Sequence, residues 1–212
     1  MNQLTHYFRQ VMHTLQTLPQ APLDRIAEAL WSTYERDGTI IVCGNGGSAA
    51  TASHFACDLA KWTIHPPARR VRALALTDSV PLMTAWSNDQ EYAAVFVEQL
   101  QSLARPGDLL VALSGSGNSP NVVRAVTWGN QVGLPTIGIT GFDGGQLAEL
   151  ATFALRVESY VMPQVEDVHS MVCHALAVNL GLEITANLTF LTTADLFADE
   201  PLHERAVGRD AT

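Results

Sequence analysis

Residues 39–48 read TIIVCGNGGS, and this stretch decides the fold of the chain. The apolar and β-branched run 39–43 predicts a short buried strand, and the glycine-rich turn that follows leads into a helical pattern over 49–62. A strand, a glycine-rich turn and a helix in this order are typical of α/β proteins, in which the turn lies at the carboxyl edge of a parallel sheet. This edge is where a ligand site is expected.

The same unit recurs along the chain. Further strands are predicted at 71–76, 109–113, 136–140 and 153–157. Helices are predicted at 1–18, 22–36, 49–62, 79–87, 89–104, 120–132 and 164–186, with a turn at 143–145. Strands that alternate with helices predict a Rossmann-like α/β fold, which is a parallel sheet flanked by helices. N-terminal helices precede this sheet and a long C-terminal helix follows it.

The whole chain is expected to form one domain, because 212 residues suit a single buried core. It divides into an N-terminal helical pair (1–36), an α/β core (37–186) and a C-terminal tail (187–212), for which a short helical piece with a frayed end is expected. Hydrophobic residues make up 47% of the chain and charged residues only 16%, which predicts that apolar surface contacts another subunit.

Charge and cysteine content narrow the class of protein. The net charge is −9 without a run of Lys or Arg, so no direct nucleic-acid binding is expected, because neutralising phosphates takes clustered cations. The three cysteines form no CxxC pair and are expected to be reduced thiols. The N-terminus has no signal-peptide core and the chain has no run of about 18 apolar residues, so a cytoplasmic protein without a membrane segment is expected.

Two loops that follow predicted strands carry the polar groups of a candidate site. The glycines of the first loop, 44–48, let backbone N–H groups approach an anion at a helix start. This loop matches neither GxGxxG nor a P-loop, and a purely structural turn is the alternative. The second loop, SGSGNS at 114–119, offers three hydroxyls and an amide without a Lys or Arg. This neutral cradle suits a sugar monophosphate better than ATP with its magnesium, and its alternative is a solvated turn.

Two predicted helices carry the titratable side chains. His54 and Asp58 are four residues apart and share a helix face. Glu166 and His174 are eight residues apart on the long C-terminal helix, with His169 between them, and roughly share a face as well. A carboxylate and an imidazole suit proton transfer between adjacent carbons. The same four side chains, His54, Asp58, Glu166 and His174, could together hold a zinc ion. The alternative is that these histidines are hydrogen-bonded core residues.

Five motifs together resemble one protein family. They are CGNGGSAA at 43–50, HFACDL at 54–59, ND at 88–89, SGSGNSPN at 114–121 and TGFDGG at 140–145. In order and spacing they are similar to the phosphoheptose isomerase branch of the sugar isomerase (SIS) domain family, and the resemblance covers roughly residues 1–186. The motifs are highly specific for the family and less specific for one substrate.

The resemblance implies an aldose–ketose isomerase of heptose biosynthesis, which interconverts sedoheptulose 7-phosphate and D-glycero-D-manno-heptose 7-phosphate through a cis-enediol. It also implies a homotetramer with active sites between subunits and one zinc ion in each site. The implied catalytic residues are Asp58 and His174, and the implied metal ligands are His54, Asp58, Glu166 and His174. The implied substrate and phosphate site comprises Asn45, Gly46, Gly47, Ser48, Asn88, Asp89, Ser114, Gly115, Ser116, Ser119 and Glu166.

Three positions depart from the family's usual pattern. Asp58 stands where glutamate is usual, Glu166 where glutamine is usual, and Gly115 where threonine is usual. A catalytic carboxylate that is shorter by about 1.5 Å can lower a rate by a factor of order 10², because proton transfer needs close approach. An added carboxylate at 166 could supply a metal ligand or a second base. The pocket is therefore expected to be intact, while its substrate could be a different sugar phosphate.

Two other functional classes stay open. One relative with the same fold is a noncatalytic scaffold that associates with the bacterial replication initiator, but it lacks the second helix histidine, which this chain has as His174. A sugar-phosphate-sensing regulator is the other alternative, although no helix-turn-helix segment is predicted ahead of the SIS unit. The presence of both His54 and His174 favours catalysis.

Overall fold

A computed structural model describes residues 2–189, and a five-stranded parallel sheet lies at its centre. The strands are β1 (Thr39–Gly44), β2 (Arg72–Ala75), β3 (Leu109–Ser114), β4 (Thr136–Thr140) and β5 (Phe153–Arg156). Every residue of β1, β3 and β4 is buried. Near-continuous apolar strands of this kind belong to parallel sheets that are covered on both faces, and the predicted α/β fold is confirmed.

The strand order is β2-β1-β3-β4-β5, so the chain places β2 on one side of β1 and then β3, β4 and β5 on the other side. Thr39 is in register with Arg72 of β2 on one side of β1, and Ile40 with Leu109 of β3 on the other. Ligands of open α/β sheets bind in the crevice at such a switch point, outside the carboxyl ends of the strands. The loops after β1 and β3, which carry the two polar motifs, flank this crevice.

Helices cover both faces of the sheet. They are α1 (Gln3–Gln16), α2 (Gln20–Glu35), α3 (Gly47–Lys61), α4 (Val80–Asp89), α5 (Val97–Leu103), α6 (Pro120–Gln131), α7 (Gly145–Leu150) and α8 (Met162–Thr189), with a 3-10 helix at Tyr92–Ala94. Side chains alternate between the faces of a strand. Ile40 and Val42 therefore pack with α2, α3 and α8 on one face, and Ile41 and Cys43 pack with α5, α6 and α7 on the other.

Three regions differ from the sequence prediction. Helix α7 was predicted only as a turn, because its two leading glycines, which have φ of +92° and +53°, conceal the short helix that follows. The predicted helix 89–104 is divided, since α4 extends to Asp89 and is followed by the 3-10 helix and α5. Helix α8 continues through residues 187–189 of the predicted tail. Residues 190–212, and the short helical piece predicted for them, lie outside the described residues.

Helix α8 is the longest helix, and it packs against α1, α2 and α3. Met162–Leu188 is long and apolar enough, by length and composition, to cross a membrane, although no run of 18 apolar residues exists. However, Val165, Val168 and Val172 are buried in the main core cluster. Core helices of soluble proteins pass the same length-and-composition test, and α8 packs as such a helix.

Candidate active site

The loop after β1 lies directly against α8. Gly46 precedes α3 with φ of +56°, a left-handed conformation that favours glycine, and its carbonyl accepts the N–H groups of Ala49 and Ala50. A Cβ at Gly47, the first residue of α3, would lie 2.5 Å from the carboxyl carbon of Glu166. The Glu166 carboxylate thus occupies the space beside Gly47, and a side chain at position 47 would displace it. A carboxylate at the amino end of α3 also interacts favourably with the helix dipole.

Two amide side chains connect this loop to α6. Asn45 Nδ2 donates to Asn121 Oδ1, and Asn121 Nδ2 donates to Asn45 Oδ1, both at 2.8 Å. Tyr92 of the 3-10 helix donates its hydroxyl to Asn45 Oδ1 at 2.9 Å. The buried Asn121 also accepts the backbone N–H of Val122 at 3.0 Å. Three separate segments therefore meet at the side chain of Asn45.

The loop after β3 presents hydroxyl groups. Ser114 Oγ accepts the N–H of Gly117 at 3.2 Å and lies 3.3 Å from Ser119 Oγ. Ser116 Oγ accepts the N–H of Asn118 at 3.2 Å. One hydroxyl of the Ser114–Ser119 pair donates to the other, and the remaining two hydroxyl protons of these three serines are left to donate to an anion. The loop is thus organised as a donor site without any cation of its own.

Gly115 is covered by the first residue of α8. A Cβ at 115 would overlap Met162 Sδ and lie 3.1 Å from Met162 Cε. A threonine, which is usual in the family at this position, would need the same space. Met162 therefore occupies space that a larger side chain at position 115 would need.

His54, Asp58 and His174 form one cluster across α3 and α8. Asp58 Oδ1 lies 3.5 Å from His54 Nε2, and Asp58 Oδ2 lies 3.6 Å from His174 Nε2. The two imidazole rings meet edge to face with centroids 4.8 Å apart. The side chains of His54, Asp58 and His174 are 57%, 24% and 48% exposed. The carboxylate thus lies between two solvent-accessible imidazoles.

This cluster has the chemistry of a metal site. One ligand atom from each of His54, Asp58 and His174 lies within 4.8 Å of the other two. Two imidazole nitrogens with one carboxylate oxygen are a donor set that catalytic zinc uses, with a fourth position left for water or substrate. The residues present therefore fit zinc. Glu166 is not in this group, and its carboxylate lies against Gly47 instead.

Other predicted residues lie further from these contacts. Asn88 and Asp89 end α4, are exposed, and bond to each other, with Asn88 Nδ2 donating to Asp89 Oδ1 at 2.9 Å. Ser48 is buried at the first turn of α3. His169 is 1% exposed, and neither of its ring nitrogens has a hydrogen bond of good geometry. Burial lowers the pKa of His169 to about 4, against a smaller opposing effect of the Thr140 backbone.

The three cysteines differ in burial. Cys43 and Cys173 are buried and Cys57 is exposed, and all three are free. Burial raises the pKa of the Cys43 and Cys173 thiols to about 12. Buried thiols of this kind are unreactive packing residues.

Sequence reasoning missed three residues at these loops. Asn121 belongs to the quoted motif SGSGNSPN, so its position was a usable signal, although no role was assigned to it. Tyr92 and Met162 carried no signal, because their contacts with Asn45 and Gly115 join residues 47 positions apart in each case. Long-range contacts of this kind require the fold.

Known proteins resemble this chain in sequence and structure. Residues 3–141 match the SIS domain family. A phosphoheptose isomerase from Crocosphaera subtropica is 34% identical over 184 residues, which cover 83% of this chain and 93% of that protein. The lincomycin biosynthesis protein LmbN from Streptomyces lincolnensis is 40% identical over 162 residues, covering 72% of this chain and 59% of that protein. The phosphoheptose isomerase of Neisseria gonorrhoeae superimposes with a TM-score of 0.76 at 32% identity, covering 84% of this chain and 94% of that one.

The chain therefore belongs to the SIS domain family, and its fold matches that of a solved family member. Within that family it belongs to the phosphoheptose isomerase branch, with roughly a third of its residues identical to members over most of its length. The resemblance stated from the motifs is confirmed.

Proposed function

We propose that this chain is an aldose–ketose isomerase that interconverts sedoheptulose 7-phosphate and D-glycero-D-manno-heptose 7-phosphate. The observation that carries the proposal is the Asp58 carboxylate, held 3.5 and 3.6 Å from two imidazoles that α3 and α8 supply. The neutral hydroxyl loop at 114–119 supports a phosphate monoester as the anchoring group of the substrate. The similarity to phosphoheptose isomerases supports the seven-carbon sugar.

The reaction moves two protons and leaves the carbon skeleton intact. A base removes a proton from C1 of the ketose while the C2 carbonyl oxygen gains one, which gives a cis-enediol. Return of a proton to C2 and loss of the proton on O1 then give the aldose. Asp58 and His174 are the proposed pair, because a carboxylate and an imidazole within 3.6 Å of each other can exchange protons with neighbouring substrate atoms.

Zinc is the proposed metal of this site. His54, Asp58 and His174 would hold it, and when bound it would polarise the substrate oxygens as a Lewis acid. Glu166 lies on α8 as His174 does, and it holds its carboxylate at the amino end of α3. It is proposed to contact the sugar there, as its predicted substrate role requires.

Isotope exchange tests the proposal. Sedoheptulose 7-phosphate incubated with the protein in deuterated water should acquire deuterium at C1 and yield aldose that carries deuterium at C2, which NMR detects. His174→Ala should abolish the exchange while the folded circular-dichroism spectrum is retained. His13→Ala, which removes an exposed imidazole on α1, is the matched control and should exchange normally. Absence of exchange in the unmodified protein, with and without added zinc, would contradict the proposal.

An isomerase of another sugar phosphate is the second candidate. Met162 occupies the space beside Gly115 in the loop 114–119, which could change the shape of the substrate site. The 40%-identical relative is a lincomycin biosynthesis protein, so a relative this similar need not carry the name of a phosphoheptose isomerase. Exchange with other ketose or aldose phosphates, and none with the heptose, would select this candidate. Binding of sugar phosphates without any exchange would favour the noncatalytic scaffold instead.

A homotetramer in the cytoplasm is part of the proposal. Leu4, Phe8 and Met12 form a stripe on α1 and are 65%, 62% and 54% exposed, which is a large apolar surface for a monomer. The half-exposed histidine cluster also leaves room for a second subunit to cover the site. A solution mass of four chains by light scattering is the expected result. Reduced, free cysteines support the cytoplasmic location.

A further inference from the structure

Asn121 is deeply buried, and three of the four hydrogen-bonding positions of its side-chain amide are used. It lies in the first turn of α6, is 2% exposed, and bonds at three points: twice to Asn45 and once to the backbone of Val122. Buried amides of this kind fix one arrangement of their neighbours, because each unsatisfied polar atom costs free energy. The neighbour here is Asn45, which is half-buried at the mouth of the first loop.

The Val122 backbone determines which way both amides face. Its N–H can only donate, so the atom of Asn121 that lies 3.0 Å away must be the oxygen. Asn121 then presents its NH₂ group to Asn45, and the atom of Asn45 that receives it must also be an oxygen. The hydroxyl of Tyr92 reaches this same oxygen as a donor. The backbone N–H of Val122, which follows Asn121 in the chain, therefore fixes the orientation of the Asn45 amide.

This bonding leaves Asn45 one free hydrogen-bonding position. A side-chain amide has two acceptor lone pairs and two N–H donors. Asn121 and Tyr92 use both lone pairs of Asn45 Oδ1, and Asn121 Oδ1 takes one N–H. What remains is a single N–H, which can bond only to an accepting oxygen.

We infer that Asn121 is a positioning residue that holds the Asn45 amide so that it offers one N–H donor, and no acceptor, to the reacting sugar. This inference rests on the proposed isomerase function. A donor aimed at an oxygen that gains negative charge during the reaction stabilises the transition state more than the ground state. The carbonyl oxygen that becomes part of the enediol is such an oxygen, whereas an acceptor at this place would repel it.

Tyr92, which also bonds to the Asn45 amide, is connected to α6. The 3-10 helix that carries it is tied to α6 by an ion pair between Glu91 Oε1 and Arg124 Nη1 at 2.5 Å. Both the donor to Asn45 Oδ1 and the amide that orients it are therefore anchored on α6. The phosphate loop runs directly into α6 at Ser119 and Pro120, so the two halves of the ligand crevice share one support.

A double-mutant cycle tests this inference. Asn45→Ala, Asn121→Ala and the double variant are compared by kcat and KM for the isomerisation and by the Kd of inorganic phosphate. Asn121→Ala should lower kcat by about 10- to 100-fold, the cost of misplacing a group by about 1 Å, with KM and the phosphate Kd within about threefold. The double variant should be no slower than Asn45→Ala, because Asn121 acts only through Asn45. Asn130→Ala, a hydrogen-bonded asparagine at the other end of α6, is the matched control and should retain kcat.

Losses that multiply in the double variant would overturn the inference, as would a loss of phosphate affinity equal to the loss in kcat. Asn121→Asp covers the case in which Asn121→Ala does not fold, since the carboxylate keeps both acceptor contacts and puts a charged acceptor where the donor to Asn45 was. It should lower kcat, and an unchanged kcat would count against the inference. If the unmodified protein has no isomerase activity, the proposed function fails. If it is active and Asn121→Ala leaves kcat unchanged, the inference fails while the proposed function stands.

Discussion

Substituting Gly117 by alanine should destabilise the protein far more than substituting its neighbour Gly115. Gly117 has φ of +66°, and a Cβ there would overlap the carbonyl oxygen of Gly144 and lie 2.6 Å from its carbonyl carbon. The left-handed conformation costs about 1–2 kcal/mol for a residue with a Cβ. Overlap with a backbone that cannot rotate away adds about 1–3 kcal/mol. The expected loss in the free energy of unfolding is therefore roughly 2–5 kcal/mol, which in a chain of this size lowers Tm by about 4–20 °C.

Two other glycines separate these contributions. Gly133 has φ of +77° and no atom near its Cβ position, so Gly133→Ala should cost only the left-handed term, about 1–2 kcal/mol. At Gly115 the obstacle is the flexible end of Met162, which is 38% exposed. Gly115→Ala should therefore cost less than about 1 kcal/mol, as tolerated core substitutions do. Thermal and urea unfolding followed by circular dichroism measure all three, and a Gly117→Ala loss no larger than that of Gly133→Ala would refute the reasoning.

Two further predictions concern the histidines and Asp58. His169 should make the protein less stable as the pH falls from 6.5 to about 4, because its pKa of about 4 in the folded protein lets only the unfolded chain bind the proton in that range. The free energy of unfolding should fall by roughly 3 kcal/mol in total. A His169→Leu variant with the same acid dependence in urea unfolding would contradict this prediction. Zinc titrated by calorimetry should bind with a stoichiometry near one per chain and at least about tenfold more weakly to Asp58→Asn, since a ligand that carries the negative charge is lost. His13→Ala should bind zinc as the unmodified protein does, and equal binding by Asp58→Asn would remove Asp58 from the ligands.

Much of the fold could be predicted because its signals are local. The buried runs of β1, β3 and β4 are near-continuous in the sequence, and the glycine-rich turns mark where those strands end. Helix α7 was not predicted because its six residues, which begin with the second of two glycines, carry too little periodicity to separate a short helix from a turn. The break between α4 and α5 was not predicted either, because the apolar residues of 89–104 continue a helical pattern across the 3-10 helix.

The site was predictable only in part because some of its contacts are not local. His54 and Asp58 are one helical turn apart, so their shared face could be predicted from spacing. Whether His174 and Glu166 both reach Asp58 depends on how α8 crosses α3. The structure brings His174 to Asp58 and takes Glu166 to Gly47. The Asn45–Asn121 pair joins residues 76 positions apart, and no periodicity connects them.

The docking of α1 on α8 has a consequence for synthesis of the chain. The hydroxyl of Tyr7 donates to Asp167 Oδ2 at 2.6 Å, and Gln10 accepts from Gln164 at 2.9 Å, so α1 packs on α8. A ribosome that adds about 5–20 residues per second needs roughly 8–30 s to make the intervening chain. During that time the apolar residues of α1 have no α8 to pack against. Helix α1 is therefore exposed to chaperones, proteases and premature association with other nascent chains until α8 is made.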